Sequence, residues 1–237
     1  MTKNIKSIIK KILISNNLLK LLYQNYYNRK LKKRIQKKNE LFKENGLLTF
    51  KELGKILNDN NIKYWLCYGT LLGYVRENGL LKHDFDFDIG IWASDYSHNL
   101  ENILVSAGFK LAHQFISEGD YKAFEQTYEK NGISIDVFYH YSNDEKIWTH
   151  VFYRELEDEE LVKKGLYRIR KLDYPKADLE RIVFLDTDAY IPSNKEQYLS
   201  EIYGENWKIP DPNYDWHKGP KNNCTVSNVY GKYYRLN

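Results

Sequence analysis

Cysteine is scarce in this 237-residue chain: Cys67 and Cys224 are its only two. Two thiols make no disulfide framework, so a reducing compartment is the simpler expectation. No apolar run reaches the roughly 18 residues that would cross a bilayer. No short apolar stretch near the start is followed by a small-residue cleavage site, so a signal peptide is not expected. Acids are almost missing from the first forty positions, where twelve Lys or Arg stand against one acid, Glu40, for a net +11. The remainder is acidic, with 24 basic and 31 acidic residues, a net −7. That acidic body carries no RNA- or DNA-binding motif, which argues against a nucleic-acid partner. No internal repeat is visible.

Apolar and aromatic residues are plentiful. Hydrophobic content is 42% and aromatic content 15%, with 21 tyrosines, enough for a real core in one or two domains. In the basic arm Ile5, Ile8, Ile9, Ile12 and Leu13 recur at helical spacing. Leu18, Leu19, Leu21, Leu22, Tyr23, Tyr26 and Tyr27 continue the apolar stretch, and "RKLKKRIQKK" follows at 29–38. A basic amphipathic helix suits an anionic membrane surface. The competing reading packs the stripe on the body or on a second subunit, making the arm an oligomer contact. The expected division is an arm over 1–45 and a catalytic body over 46–237, with the site wholly in the body. The expected location is cytoplasmic, peripheral on the inner face of the membrane.

Within the body, "TFKE" at 49–52 has the form of a capping box opening a helix that runs to about Leu57. "KYWLCYG", 63–69, reads as a buried strand and "TLLGYVRE", 70–77, as a helix. Ser94 is a candidate cap for a helix ending at Gly108, and 109–115 reads as a strand. Asn131-Gly132 between "YKAFEQTYEK" and "ISIDVFYHY" predicts a two-residue hairpin. Asn194 is placed to cap a helix that ends at Gly204. Residues 205–237, rich in aromatics, Pro, Gly and Asn, read as ordered irregular structure. The fold class is α+β, a mixed or antiparallel sheet flanked by helices and preceded by the basic helical arm.

The stretch "HDFDFDIG", 83–90, sets Asp84, Asp86 and Asp88 in alternation with Phe85, Phe87 and Ile89. A strand sends successive side chains to opposite faces, so the carboxylates share one face at spacings of roughly 6–7 Å. Like charges that close raise one another's pKa unless a cation joins them. Aspartate is also a poor strand former, so the pattern points to a site. An exposed acidic edge strand is the plain alternative.

Two further pieces fit it. In "YGTLLG", 68–73, a strand gives way to a helix at Gly69-Thr70, where free amides attract anions, and Arg76 lies one to two turns on. In "SIDVF", Asp136 alternates with Ile135 and Val137 on the strand after the hairpin turn. Three carboxylates with Mg²⁺ or Mn²⁺ would clamp a phosphoryl group and an attacking oxygen. An EF-hand loop starting at Asp84 would need Gly at 89 and Glu at 95, where the chain has Ile89 and Asp95. A sugar-nucleotide glycosyltransferase would need a longer nucleotide-binding region before its D-x-D. The order Gly-Thr, D-x-D, distant Asp is that of the DNA polymerase β-like nucleotidyltransferase superfamily.

"YGTLLGYVRENGLLKHDFDFDIGIW", "DVFYHY" and "YLSEIYGENWKIPDPNYDWHKGP" together resemble the LicD-type and fukutin-type phosphotransferases over roughly residues 62–220. His83 departs from the pattern, since many relatives have an aromatic residue before the first Asp. The resemblance implies a nucleotidyltransferase fold and transfer of phosphocholine, ribitol phosphate or glycerol phosphate from a CDP-activated alcohol donor to a sugar hydroxyl. The acceptor would be a cell-surface glycan such as capsule, lipopolysaccharide or teichoic acid, in some cases lipid-linked, and CMP would be released. It implies Asp86 and Asp88 as metal ligands, Asp136 as third ligand or general base, and Asp84 as a ligand or outer carboxylate. Gly69, Thr70 and Arg76 would hold the diphosphate. Trp207, Tyr214 and Trp216 either pack the C-terminal lobe or stack on a cytosine or sugar ring, with Lys218 near a phosphate. The rival readings are a true nucleotidyltransferase that releases pyrophosphate and a non-catalytic binding module.

Overall fold

The computed structural model describes residues 17–82, 84–96, 98–119, 122–155, 157–211, 213–220 and 224–236. The stripe from Ile5 to Leu13 and His83 lie outside the described residues. The first element, α1, is a single helix over Asn17–Asp59. The expected capping box at Thr49 is therefore not a helix start. Leu, Lys, Arg, Gln and Glu dominate the preceding turns and are strong helix formers. Phe42, already 4% exposed in the core, ties those turns down, so the helix passes straight through. Thr49 is itself fully buried. Arm and body thus share one helix. Among the described residues no helix is both long and apolar enough to cross a membrane.

The chain continues as β1 (Tyr64–Leu66), α2 (Tyr68–Glu77), β2 (Asp86–Trp92), α3 (His98–Ser106), β3 (Lys110–Ser117), β4 (Phe124–Lys130), β5 (Ile133–Ser142) and β6 (Lys146–Tyr153). It then forms α4 (Glu159–Lys164), β7 (Leu166–Pro175), β8 (Leu179–Phe184), β9 (Thr187–Pro192), α5 (Lys195–Tyr203) and β10 (Cys224–Arg235). The ten strands join one mixed sheet in the order β4-β3-β10-β7-β6-β5-β2-β1-β9-β8. β4 also pairs with β5, so six of the strands close a ring of hydrogen-bonded neighbours. β2 runs antiparallel to β1 and parallel to β5.

The alternation read from the sequence decides which face is buried. Phe87, Ile89 and Ile91 of β2 and Ile133, Ile135 and Val137 of β5 are fully buried. They pack against one face of α1, where Phe42, Phe50, Leu53 and Leu57 follow helical spacing. The Phe50 and Phe87 rings are 4.7 Å apart and the Phe42 and Phe87 rings 4.9 Å. Each such ring contributes on the order of 2 kcal/mol by leaving water. The opposite face of β2 and β5 carries the aspartates.

Three further local expectations are corrected or refined. Ser94 sits in a short 3₁₀ turn, Ala93–Asp95, and α3 begins only at His98. Asn194 precedes α5 but makes no side-chain cap bond, while Gly204 closes the helix as expected. Residues 224–235 are not irregular but form β10, which pairs with β3 and β7. Its polar, Gly-containing sequence hides a strand interrupted between Val226 and Tyr230. Gly231 is required there, because a Cβ would stand 2.3 Å from the Phe152 ring. The hairpin is as predicted: Asn131 (φ 53) and Gly132 (φ 78) are both left-handed, as a type I′ turn demands.

Candidate active site

Asp88 and Asp136 are register partners on adjacent parallel strands, β2 and β5, and Asp86 is partnered by Ser134. The N-terminal turn of α2 braces Asp88 from the other side. Its N–H donates to Thr70 Oγ1 at 2.8 Å, and its Oδ2 accepts from the Gly69 N–H at 3.0 Å. The Cys67 N–H donates to the Asp88 carbonyl at 3.0 Å. Gly69 also lets two carboxylates crowd in. A Cβ there would stand 3.1 Å from Asp84 Oδ2 and 3.2 Å from Asp88 Oδ2. Asp84 Oδ2 is buried without a hydrogen-bond partner.

These carboxylates are held in a state they resist. Burial first, then the charge of Asp86, pushes Asp84 up to about 8. Burial likewise pushes Asp136 up to about 7, with Asp86 adding to the effect. Asp86 is raised by burial, and Asp88 is raised well above the usual range by burial and by Asp86, Asp136 and Asp84. Glu125 of β4 joins them, its carboxyl pushed up by burial and by Asp136. Among the described residues, no three His, Cys, Asp or Glu side chains already converge as a closed ligand shell.

One residue of the expected arm reaches these carboxylates. Lys38 of α1 holds its Nζ 4.5 Å from the centre of the Phe85 ring. Its charge lowers the carboxyls of Asp86 and Asp136 against their burial. Tyr203 of α5 closes another side. Its phenol is raised by burial, by Tyr214 and by the charges of Asp88 and Asp84, and its ring lies 5.0 Å from that of Tyr214.

The other residues singled out from the sequence lie in different surroundings. Arg76 Nη1 donates to the Trp207 carbonyl at 3.2 Å, and its Nη2 faces Glu77. Trp207 is 6% exposed and belongs to the core. Trp216, 53% exposed, accepts from Arg170 through its carbonyl, and Lys218 is exposed with its N–H on the Asp215 carbonyl. His140 is buried, with its ring bonded to the Phe138 carbonyl, in keeping with a structural role.

Lys38, His113, Thr127, Glu125 and Tyr203 are the neighbours of the site that sequence reasoning missed. Thr127 and Glu125 were within reach. A two-residue turn at 131–132 fixes the register, and counting back puts Thr127 opposite Asp136. Lys38 carries no local signal, because only the unbroken helix brings it to the site.

Comparison with known proteins follows the same residues. The family profile of the LicD/FKTN/FKRP nucleotidyltransferase domain matches residues 61–194. The span includes Gly69, Thr70, Arg76, the three aspartates of the strand and Asp136, and it excludes Lys38, Trp216 and Lys218. The chain is 30% identical over 169 residues to the mouse (Mus musculus) ribitol-5-phosphate transferase FKTN, covering 71% of this chain and 34% of that protein. The human counterpart (Homo sapiens) is 29% identical over the same shares. An uncharacterized protein of Rickettsia prowazekii is 31% identical over 157 residues, 65% of this chain and 52% of that one. The chain thus spans about a third of the length of these fukutin relatives.

Proposed function

The chain belongs to the LicD/FKTN/FKRP nucleotidyltransferase-domain family, and from that premise we propose that it transfers a phosphorylated alcohol from a CDP-activated donor to a glycan hydroxyl. The observation that carries the reading is the facing pair Asp88 and Asp136, with Asp86 one step along the same strand face. Two relatives are named as ribitol-5-phosphate transferases, which favours an alcohol phosphate as the group moved.

In this reading the acceptor oxygen forms a bond to the phosphorus that bears the alcohol. The bond from that phosphorus to the bridging oxygen breaks, and CMP leaves with the electron pair. The hydroxyl proton passes to Asp136. Its Oδ1 is held by Thr127, which leaves the other oxygen for the acceptor. A carboxyl pushed up to about 7 is well matched to taking a proton near neutral pH. The Gly69 amide donates to Asp88, while Thr70 Oγ1 accepts from the Asp88 N–H and keeps its own proton to donate to a phosphate. Lys38 supplies positive charge beside Asp86 and Asp136, and Arg76 stabilises the C-terminal lobe through Trp207.

The donor set suits a hard divalent cation, Mg²⁺ or Mn²⁺: it is all carboxylate oxygen, mutually repelling, with the Asp84 Oδ2 atom buried and unpartnered. Asp86, Asp88 and Asp84 would hold it, with Asp136 alongside. Bound there, the ion neutralises phosphate charge.

The test is product analysis with CDP-ribitol, CDP-glycerol and CDP-choline, each with Mg²⁺ and a glycan acceptor. Acceptor-dependent CMP release supports the proposal. Pyrophosphate released from CTP would replace it with a nucleotidyltransferase. Tight donor binding without turnover would leave a binding module.

A further inference from the structure

We propose that Thr127 and His113 are positioning residues that hold Asp136 in its working orientation, and that the bulge in β3 serves to bring His113 into place. The inference rests on Asp136 being the group that meets the acceptor hydroxyl.

The register shows how His113 arrives. β3 pairs Leu111 with Tyr128 and then His113 with Thr127, so Ala112 is an extra residue on one strand. In regular pairing without the bulge, Ala112 would sit opposite Thr127 and His113 would turn to the core face with Leu111. Bulges beside active sites commonly re-aim a side chain in this way. The Leu236 N–H donates to the Ala112 carbonyl at 3.1 Å, so the bulge is held from outside the pair of strands.

The hydrogen bonds then have one consistent direction. The Thr127 hydroxyl donates to Asp136 Oδ1 at 2.6 Å. Its only proton is spent there, so the 3.0 Å contact with His113 Nε2 is a donation from the imidazole to Thr127 Oγ1. A hydroxyl alone can rotate and offer its proton elsewhere. With the imidazole N–H on its oxygen, the threonine proton is committed to the carboxylate. Outer partners of this kind orient ligands and bases across many sites.

His113 is itself pinned. Its ring packs 5.1 Å from Tyr233 and edge-on to Phe115 at 5.7 Å. Burial lowers its pKa, against the pull of Glu129 and with the push of Arg235, so the imidazole is neutral near pH 7 and its tautomer matters.

The test combines imidazole NMR with kinetics. Long-range ¹H–¹⁵N spectra of the wild-type protein should show His113 protonated on Nε2, and Thr127→Val should shift those signals. Thr127→Val should lower kcat by about 10- to 100-fold, with the donor KM and the melting temperature close to wild type. Thr127→Ser should restore most of the loss, because it keeps the hydroxyl. His113→Phe should lower kcat in the same direction but less. An Nδ1-protonated His113, an unchanged kcat in Thr127→Val, or a Thr127→Ser protein as slow as Thr127→Val would each overturn the inference. Should Thr127→Val fail to fold, the wild-type tautomer and the Ser variant decide it. A wild-type protein that never releases CMP would sink the functional reading instead, and the tautomer would then decide the hydrogen-bond chain by itself.

Discussion

Asp88 and Asp136 are partners across two parallel strands, each on the face its apolar neighbours leave free. Two carboxylates in adjacent rows of one sheet oppose the folded state unless charge or protons offset them. Asp88→Asn or Asp136→Asn should therefore do two opposite things. Turnover should fall by orders of magnitude, as CMP release would show. In EDTA the melting temperature should hold or rise, because a buried like charge is gone. Asp136→Asn should also keep near-normal donor affinity, since its proposed partner is the acceptor. Wild-type turnover in either variant at saturating metal would remove that residue from the reaction.

The acid cluster makes stability depend on pH. Asp84 and Asp136 have folded-state pKa values raised to about 8 and about 7. Between roughly pH 4 and 8 the folded protein keeps protons that the unfolded chain has released, so stability is greatest on the acid side of that window and falls as pH rises through it. In EDTA the melting temperature should drop from pH 5.5 to pH 8, and Mg²⁺ should flatten the drop. A melting temperature that rises over that window without metal would contradict the burial of these groups.

Lys38 offers a sharper electrostatic test. Its charge lowers Asp86 and Asp136 from outside the family-matched region. Lys38→Gln should move the acid limb of the pH–rate profile to higher pH, and Lys38→Arg should restore it. A profile identical to wild type in Lys38→Gln would show that the cation has no hold on the site.

At Gly69, Ala would place a methyl group 3.1–3.2 Å from oxygens of Asp84 and Asp88. The helical φ there tolerates Ala, so the fold should survive while the carboxylates are pushed apart. Gly69→Ala should lose affinity for Mn²⁺ by calorimetry and lose most of its turnover. Wild-type Mn²⁺ affinity would argue that Gly69 matters only as backbone.

The basic arm should bind anionic liposomes. Each basic residue near such a surface contributes on the order of 1 kcal/mol, screened by salt within about a Debye length. Co-sedimentation should weaken at high salt, with a protein lacking residues 1–28, and further when Arg29, Lys30, Lys32, Lys33 and Arg34 of that truncated protein are changed to Gln. That truncation spares Lys38 and Phe42, so a soluble acceptor should still be modified. Equal pelleting of the wild-type protein and the truncated, charge-neutralised one would refute the membrane role, and loss of a dimer on truncation would favour the packing reading.

The part of the site legible beforehand is the part written in short-range alternation. Period two in 86–91 and in 133–137 placed Asp86, Asp88 and Asp136 opposite the core, and Asn131-Gly132 fixed the hairpin, whereas Asp84 precedes the strand on which the spacing had set it. What stayed hidden depends on long-range pairing. β9 meets β1, and β10 meets β3 and β7, far back along the chain, and β10 shows too many polar residues to advertise itself. His113 was hidden by one inserted residue, Ala112, which reverses the face that counting would give it. Arg76 gained a neighbour that its spacing from Gly69 did not announce: the chain's later return brings the Trp207 carbonyl to its Nη1.

The unbroken run of α1 makes the distance from Asn17 to the carboxylates a fixed quantity. At 1.5 Å per residue, the turns from Asn17 to Leu41 extend roughly 37 Å before the first core-packed ring. A flexible linker would let the carboxylates wander over any nearby surface. A spar of that length holds them at one height and one azimuth relative to whatever grips its tip.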